Sequence, residues 1–114
     1  MKEMNKMNIM NKVNKFRKER DWVQFHNEKD LAISISLESS ELLEIFQWKT
    51  SEEATEKGLE HIKEELADVL IYAHMLADNL DLDIEEIMEE KLLKNAEKYP
   101  VEKSRGKNDK YTNL

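Results

Sequence analysis

Two pairs of carboxylates, each at a spacing of three, interrupt otherwise apolar helical sequence: Glu38 with Glu41, and Glu65 with Asp68. Residues three apart on a helix share a face, with Cβ atoms about 5–6 Å apart. Asp68 is the more informative member. It sits inside Leu66-Ala67-Asp68-Val69-Leu70-Ile71-Tyr72-Ala73, the middle of a helix that is apolar on nearly every side. A carboxylate taken out of water without a partner costs several kcal/mol even after relaxation, so Asp68 must open onto a wet cleft or meet a cation. Glu38-Ser39-Ser40-Glu41 in turn leads into a second apolar run, Leu42-Leu43-Glu44-Ile45-Phe46-Gln47-Trp48. On facing helices the two pairs would set four carboxylates around one hole. An all-oxygen site suits a hard cation, Mg²⁺ or Mn²⁺, whereas zinc would require His or Cys. Such an ion orients phosphate oxygens, offsets their charge and activates a water for in-line attack on phosphorus. The competing reading is a solvated acidic face. A di-iron bundle requires Glu-x-x-His pairs, and the residues three before His26, His61 and His74 are Val23, Gly58 and Ile71.

Helices must position these groups. Gly occurs twice and Pro once in 114 residues, so the turn punctuation of a β-sheet is missing. Glu, Lys, Leu, Ala and Met are good helix formers, and the fold class is all-α: a four-helix bundle assembled as a homo-oligomer. The first helix is expected from about Asn5 to Arg20, with Met4, Met7, Met10, Val13 and Phe16 forming a narrow stripe. The segment from Asp21 to Asn27 breaks that period and reads as a connection. Its rings, Trp22, Phe25 and His26, are expected to be buried or to face a pocket. Asn27 or Asp30 caps a second helix from about Asp30 to Trp48, and Thr50 or Ser51 caps a third that continues to about Asn79. Gly58 either kinks the third helix or splits off its first turns. A fourth runs from about Asp83 to Lys98, with Ile84, Ile87, Met88 and Leu92 on its apolar face, and Tyr99-Pro100 ends it. Residues 1–100 form one domain. Residues 101–114 form a basic tail with Lys103, Arg105, Lys107 and Lys110, ordered only against a partner subunit or a ligand. An antiparallel hairpin of helices two and three, closed by a short loop, brings the acidic pairs to nearly the same level.

The totals narrow the function classes. A net charge of −7 argues against a nucleic-acid binder, whose footprint would be basic. It leaves room for a nucleotide, because a cation offsets a local carboxylate cluster. The absence of Cys excludes disulfides and thiolate sites. The amino terminus lacks the apolar core of a signal peptide, and the run from Val69 to Ala73 is far too short to span a membrane. A cytoplasmic protein without membrane or nucleic-acid partners is expected. The third helix is apolar on too many sides for a small monomer, which predicts a homodimer or homotetramer built through it. His26 reads as a satisfied cap or a supporting group, His61 as a surface residue and His74 as a packed or interface residue.

Several stretches together carry a resemblance. Glu38-Ser39-Ser40-Glu41, then Phe46-Gln47-Trp48-Lys49, then Glu64-Glu65-Leu66-Ala67-Asp68-Val69-Leu70-Ile71-Tyr72 resembles the MazG-like nucleotide pyrophosphohydrolases. The chain is most similar to their dCTP-hydrolysing members. The resemblance extends to Arg20-Asp21-Trp22-x-Gln24-Phe25-His26, Lys91-x-x-x-Asn95-x-x-Lys98-Tyr99-Pro100 and Lys110-Tyr111-Thr112, so it covers about residues 16 to 112. It implies hydrolysis of a (deoxy)nucleoside triphosphate to the monophosphate and pyrophosphate. Glu38, Glu41, Glu65 and Asp68 would then be the Mg²⁺ ligands. Glu41, with Glu38 beside it, would have the catalytic part of orienting or deprotonating the attacking water. Trp22, Trp48 and Tyr72 would line a base pocket, Asn95 would hydrogen-bond the base or sugar, and Lys91 and Lys98 would lie near the phosphates. Val13 stands where vertebrate members carry His, and the loop between helices two and three is shorter, both of which bear on base preference. The alternatives are a hydrolase of the same family acting on dUTP or a modified nucleotide, and a helical interaction module without catalysis.

Overall fold

The computed structural model describes residues 8–113, and every described regular element is a helix. They are α1 (Ile9–Glu19), a 3₁₀ turn (Val23–Phe25), α2 (Glu28–Phe46), α3 (Ser51–Asn79), α4 (Ile84–Lys98), the short α5 (Val101–Ser104) and a second 3₁₀ turn (Tyr111–Asn113). The described residues divide into two compact units, the first ending at Asp81 and the second beginning at Leu82.

Each long helix starts where a side chain satisfies a free amide. Asn8 accepts from the Asn11 amide at 2.8 Å, Thr50 from Glu53 at 3.1 Å and Asp83 from Glu86 at 3.0 Å. At the start of α2, Asn27 accepts from the Asp30 amide at 2.8 Å. The Asp30 carboxylate accepts in return from the Asn27 side chain at 2.8 Å. That reciprocal cap fixes the start at Glu28, ahead of the expected Asp30. The far end also departs from expectation. α2 stops at Phe46, because Trp48 takes a left-handed φ of 64° and turns the chain into α3. Of the stripe expected on the first helix, Met4 and Met7 lie outside the described residues.

In the first unit α2 and α3 form an antiparallel hairpin, with α1 laid against α3. The register follows from three levels. Leu31 clusters with Met75, Glu38 meets Glu65 and Asp68, and Ile45 reaches Gly58. Gly58 kinks α3 without splitting it (φ −116°, ψ 17°), and a Cβ there would stand 3.2 Å from Ile45 Cγ2. The core is small: Val13, Leu31 and Met75 at its centre, with Tyr72 and Leu76 packed against it. Arg17, one turn beyond Val13, is 3% exposed. Its guanidinium donates to Asn14 at 3.1 Å, Asp78 at 3.3 Å and Asn79 at 3.0 Å, and Asn79 donates to the His26 carbonyl at 2.6 Å. One buried cation thus ties α1, the 3₁₀ connection and the end of α3 together.

In the second unit, Ile84, Ile87, Met88, Lys91, Asn95 and Lys98 share one face of α4 by helical spacing. The tail meets the end of α4: Tyr111 packs edge-on against Tyr99 with centroids 5.9 Å apart, and Lys98 Nζ lies 5.0 Å over the Tyr111 ring.

Candidate functional site

The hairpin register sets the two acidic pairs opposite one another. Glu38, Glu65 and Asp68 each offer a carboxylate oxygen, and these atoms all lie within 4.8 Å of one another. Glu41 stands at the edge of this group. Its carboxylate hydrogen-bonds Glu38 and repels it. Burial pushes the Glu38 carboxyl up to about 7. Hydrogen bonds to Glu65 and Glu41 and the negative charges of Glu41 and Asp68 add to the shift. Protonated, Glu38 donates to its neighbours. Ionised, it leaves crowded like charges, and the buried Oε2 atoms of both Glu38 and Glu65 have no partner among the described residues. An oxygen-only set of crowded carboxylates fits a hard divalent ion.

On the side facing α1, Asp68 opens onto an apolar cavity of about 400 Å³ lined by Val13, Phe16, Trp22, His26, Tyr72 and Met75 among others. That volume lies in the range of small-molecule sites. Asp68, Tyr72 and Met75 follow one another at helical spacing on one face of α3. The Trp22 indole stands edge-on between Phe16, at 5.7 Å, and His26, at 6.4 Å. Burial, then the charges of Glu38, Asp68 and Glu41, raise the Tyr72 phenol above its ordinary range, so it stays neutral. Burial and then the Arg17 charge lower the His26 imidazole, and its buried Nδ1 lacks a partner among the described residues. Of the rings in the connection, Trp22 and His26 face this cavity. Phe25 is exposed and does not line it, contrary to expectation.

The other expected site residues are placed as follows. Trp48 is 95% exposed, sits in a left-handed turn and lines neither this cavity nor the one beside Glu41. Lys91, Asn95 and Lys98 lie on α4, in the second unit. His61 is a surface residue, as expected, 61% exposed, with its Nε2 3.5 Å from Glu65. His74 Nδ1 meets the Leu70 carbonyl at 2.7 Å. Sequence reasoning missed Phe16, Met75 and Lys12 in the cavity wall. Met75 was within reach, seven residues after Asp68 on the same face.

A helical hairpin that gathers carboxylates beside an aromatic cavity defines a candidate metal-assisted ligand site. The comparisons narrow it. The chain belongs to the MazG-like family, which it matches over residues 33–114. It is 40% identical over 104 residues to mouse dCTP pyrophosphatase 1 and 38% identical to the human protein of that name, the match covering 87% of this chain. The chain spans 61% of the length of these two relatives. It is also similar to a solved pyrophosphatase from Archaeoglobus fulgidus, with 42% identity and a TM-score of 0.77, over 81% of this chain and 89% of that one.

Proposed function

We propose that this chain is a Mg²⁺-dependent nucleoside triphosphate pyrophosphohydrolase, acting on dCTP-like deoxynucleotides in the cytoplasm, within a single domain over residues 1–100. The observation that carries the reading is the shared wall at Asp68. One side chain belongs both to the carboxylate cluster and to an aromatic cavity large enough for a nucleobase. A base among Trp22, Tyr72 and Phe16 would set its α-phosphate against the carboxylates. The similarity to dCTP pyrophosphatases and to a pyrophosphatase structure supports the reaction.

Glu38, Glu65 and Asp68, with Glu41 at their edge, would hold Mg²⁺, or Mn²⁺ in its place. When bound, the cation supplies phosphate orientation, charge neutralisation and water activation. Glu41 lies outside the tight group and is the carboxylate free to orient the attacking water and accept its proton. Glu38 must give up its own proton before it serves as a ligand. Lys91, Asn95 and Lys98 are proposed for the phosphates and the base or sugar on the family resemblance alone, as is Trp48. Val13, where vertebrate members carry His, lines the aromatic cavity, so base preference is decided partly there.

A homodimer or homotetramer is proposed on two apolar rows. Ile33 and Leu37 lie on the face of α2 turned from α3, and Leu59, Leu66 and Leu70 on the face of α3 turned from Asp68, all exposed. Sedimentation should show no monomer at micromolar concentration. Pyrophosphate release from a panel of canonical and modified triphosphates, with Mg²⁺ and with chelator, tests the activity. Metal-dependent release of monophosphate and pyrophosphate is expected, with dCTP among the preferred substrates. A folded oligomer that releases nothing would instead be an interaction module.

A further inference from the structure

Glu41 and Glu65 also face a second cavity, toward the amino-terminal part of α3. It encloses about 710 Å³ and takes in Lys49, Lys57 and His61. The aromatic cavity uses the opposite stretch of the same helix, with Asp68, Tyr72 and Met75. The carboxylate cluster therefore lies between an apolar recess and a recess that holds lysines. Neither Lys49 nor Lys57 is in an ion pair among the described residues, although both share the cavity with Glu41, Glu44 and Glu65. On α3, Lys57, His61 and Glu65 follow one another at intervals of four, so they rise along one face. From Lys57 to Glu65 is roughly 12 Å of helical rise.

A nucleoside triphosphate has this polarity: an apolar base, an α-phosphorus to be attacked, and an anionic end. We infer that Lys49 and Lys57 bind the β- and γ-phosphates of the substrate and the pyrophosphate that leaves. The inference rests on the pyrophosphohydrolase reading above. In that reaction the water oxygen bonds to the α-phosphorus, and the bridging α,β-phosphoanhydride bond breaks. Its electron pair goes to the β-phosphate oxygen, and the proton of water passes to a carboxylate. Charge gathers on the departing oxygen, where fixed cations in a partly enclosed cavity stabilise it most. His61, whose Nε2 is 3.5 Å from Glu65, lines the same cavity as the two lysines.

The test compares the wild type with Lys49→Gln and Lys57→Gln, both exposed positions that the fold does not need. Calorimetric binding of inorganic pyrophosphate with Mg²⁺ should weaken about tenfold in each variant, the size of one charge-assisted hydrogen bond. Binding of dCMP should change less than about twofold, because it lacks the groups the lysines would hold, and KM for the triphosphate should rise with the pyrophosphate constant. Unchanged pyrophosphate binding in both variants, or equal losses for pyrophosphate and dCMP, would overturn the inference. A wild type that hydrolyses nothing yet binds pyrophosphate through these lysines would refute the enzymatic reading and leave the anion site standing.

Discussion

Glu38→Gln separates the electrostatics of the site from its packing. Without a cation, the Glu38 carboxyl is raised from 4.5 to about 7. A pKa higher in the folded state means that the native protein binds this proton more tightly than the unfolded chain does. The associated stability is fully present below pH 4.5 and is lost as the pH rises through about 7. At about 1.36 kcal/mol per unit the shift would amount to about 3 kcal/mol. Glu38 is partly open to solvent, so we take about 1–2 kcal/mol. That corresponds to roughly 4–8 °C in Tm for a domain of this size. Gln has the same shape and cannot ionise. In chelator, the two proteins should melt together near pH 4.5, and the variant should be several degrees more stable by pH 8. Added Mg²⁺ should raise the wild-type Tm at pH 8 and leave that of the variant nearly unchanged. Thermal melts followed by circular dichroism from pH 4.5 to 8 measure both. A difference between the two proteins that does not vary with pH would refute the electrostatic account of the cluster.

Three further outcomes follow from other contacts. Asp68→Asn should lower turnover by at least about 10²–10³-fold with an unchanged far-UV spectrum, since it removes charge from the reacting centre and not from the core; steady-state kinetics check this. Trp22→Ala should weaken the triphosphate and dCMP alike by about 10–100-fold, the range of one base–aromatic stack, with pyrophosphate binding preserved by calorimetry. Arg17→Met should cost about 2–3 kcal/mol in urea unfolding, because the links to Asp78 and Asn79 break together.

The sequence made the carboxylates legible because Asp68 violates its surroundings. An acid inside an apolar helix demands a partner, and spacing alone points to Glu65. Their meeting with Glu38 was legible too, since a hairpin with a short loop has little freedom of register. Arg17 was not. Among many exposed lysines and arginines nothing marks it, and only the packed structure shows a buried guanidinium with ligands sixty residues away. The end of α2, expected at Trp48, was misread for a local reason. Helix chemistry continues through Trp48, yet the chain turns there in a left-handed conformation before the cap at Thr50. Ends of helices depend on such reciprocal bonds, which propensity does not record.

The same physics links the site to the proposed assembly. A cluster of like charges subtracts stability from the hairpin that holds it, and the buried core of that hairpin is small. Yet α2 and α3 each have two apolar faces, one used within the chain and one left in water. Ile33 and Leu37 behind Glu38, and Leu66 and Leu70 behind Asp68, are placed to recover by association what the carboxylates cost. Burying about two such side chains per helix would return several kcal/mol at roughly 1.5–3 kcal/mol each, enough to offset the 1–2 kcal/mol taken from Glu38. Leu66→Glu, on the outer face, should therefore dissociate the oligomer and, by removing that support, make the cation-free protein more sensitive to rising pH than the wild type. Sedimentation with melts at pH 5 and 8 measures both effects. A monomeric variant that melts in parallel with the wild type at both pH values would show that the site does not depend on assembly for its stability.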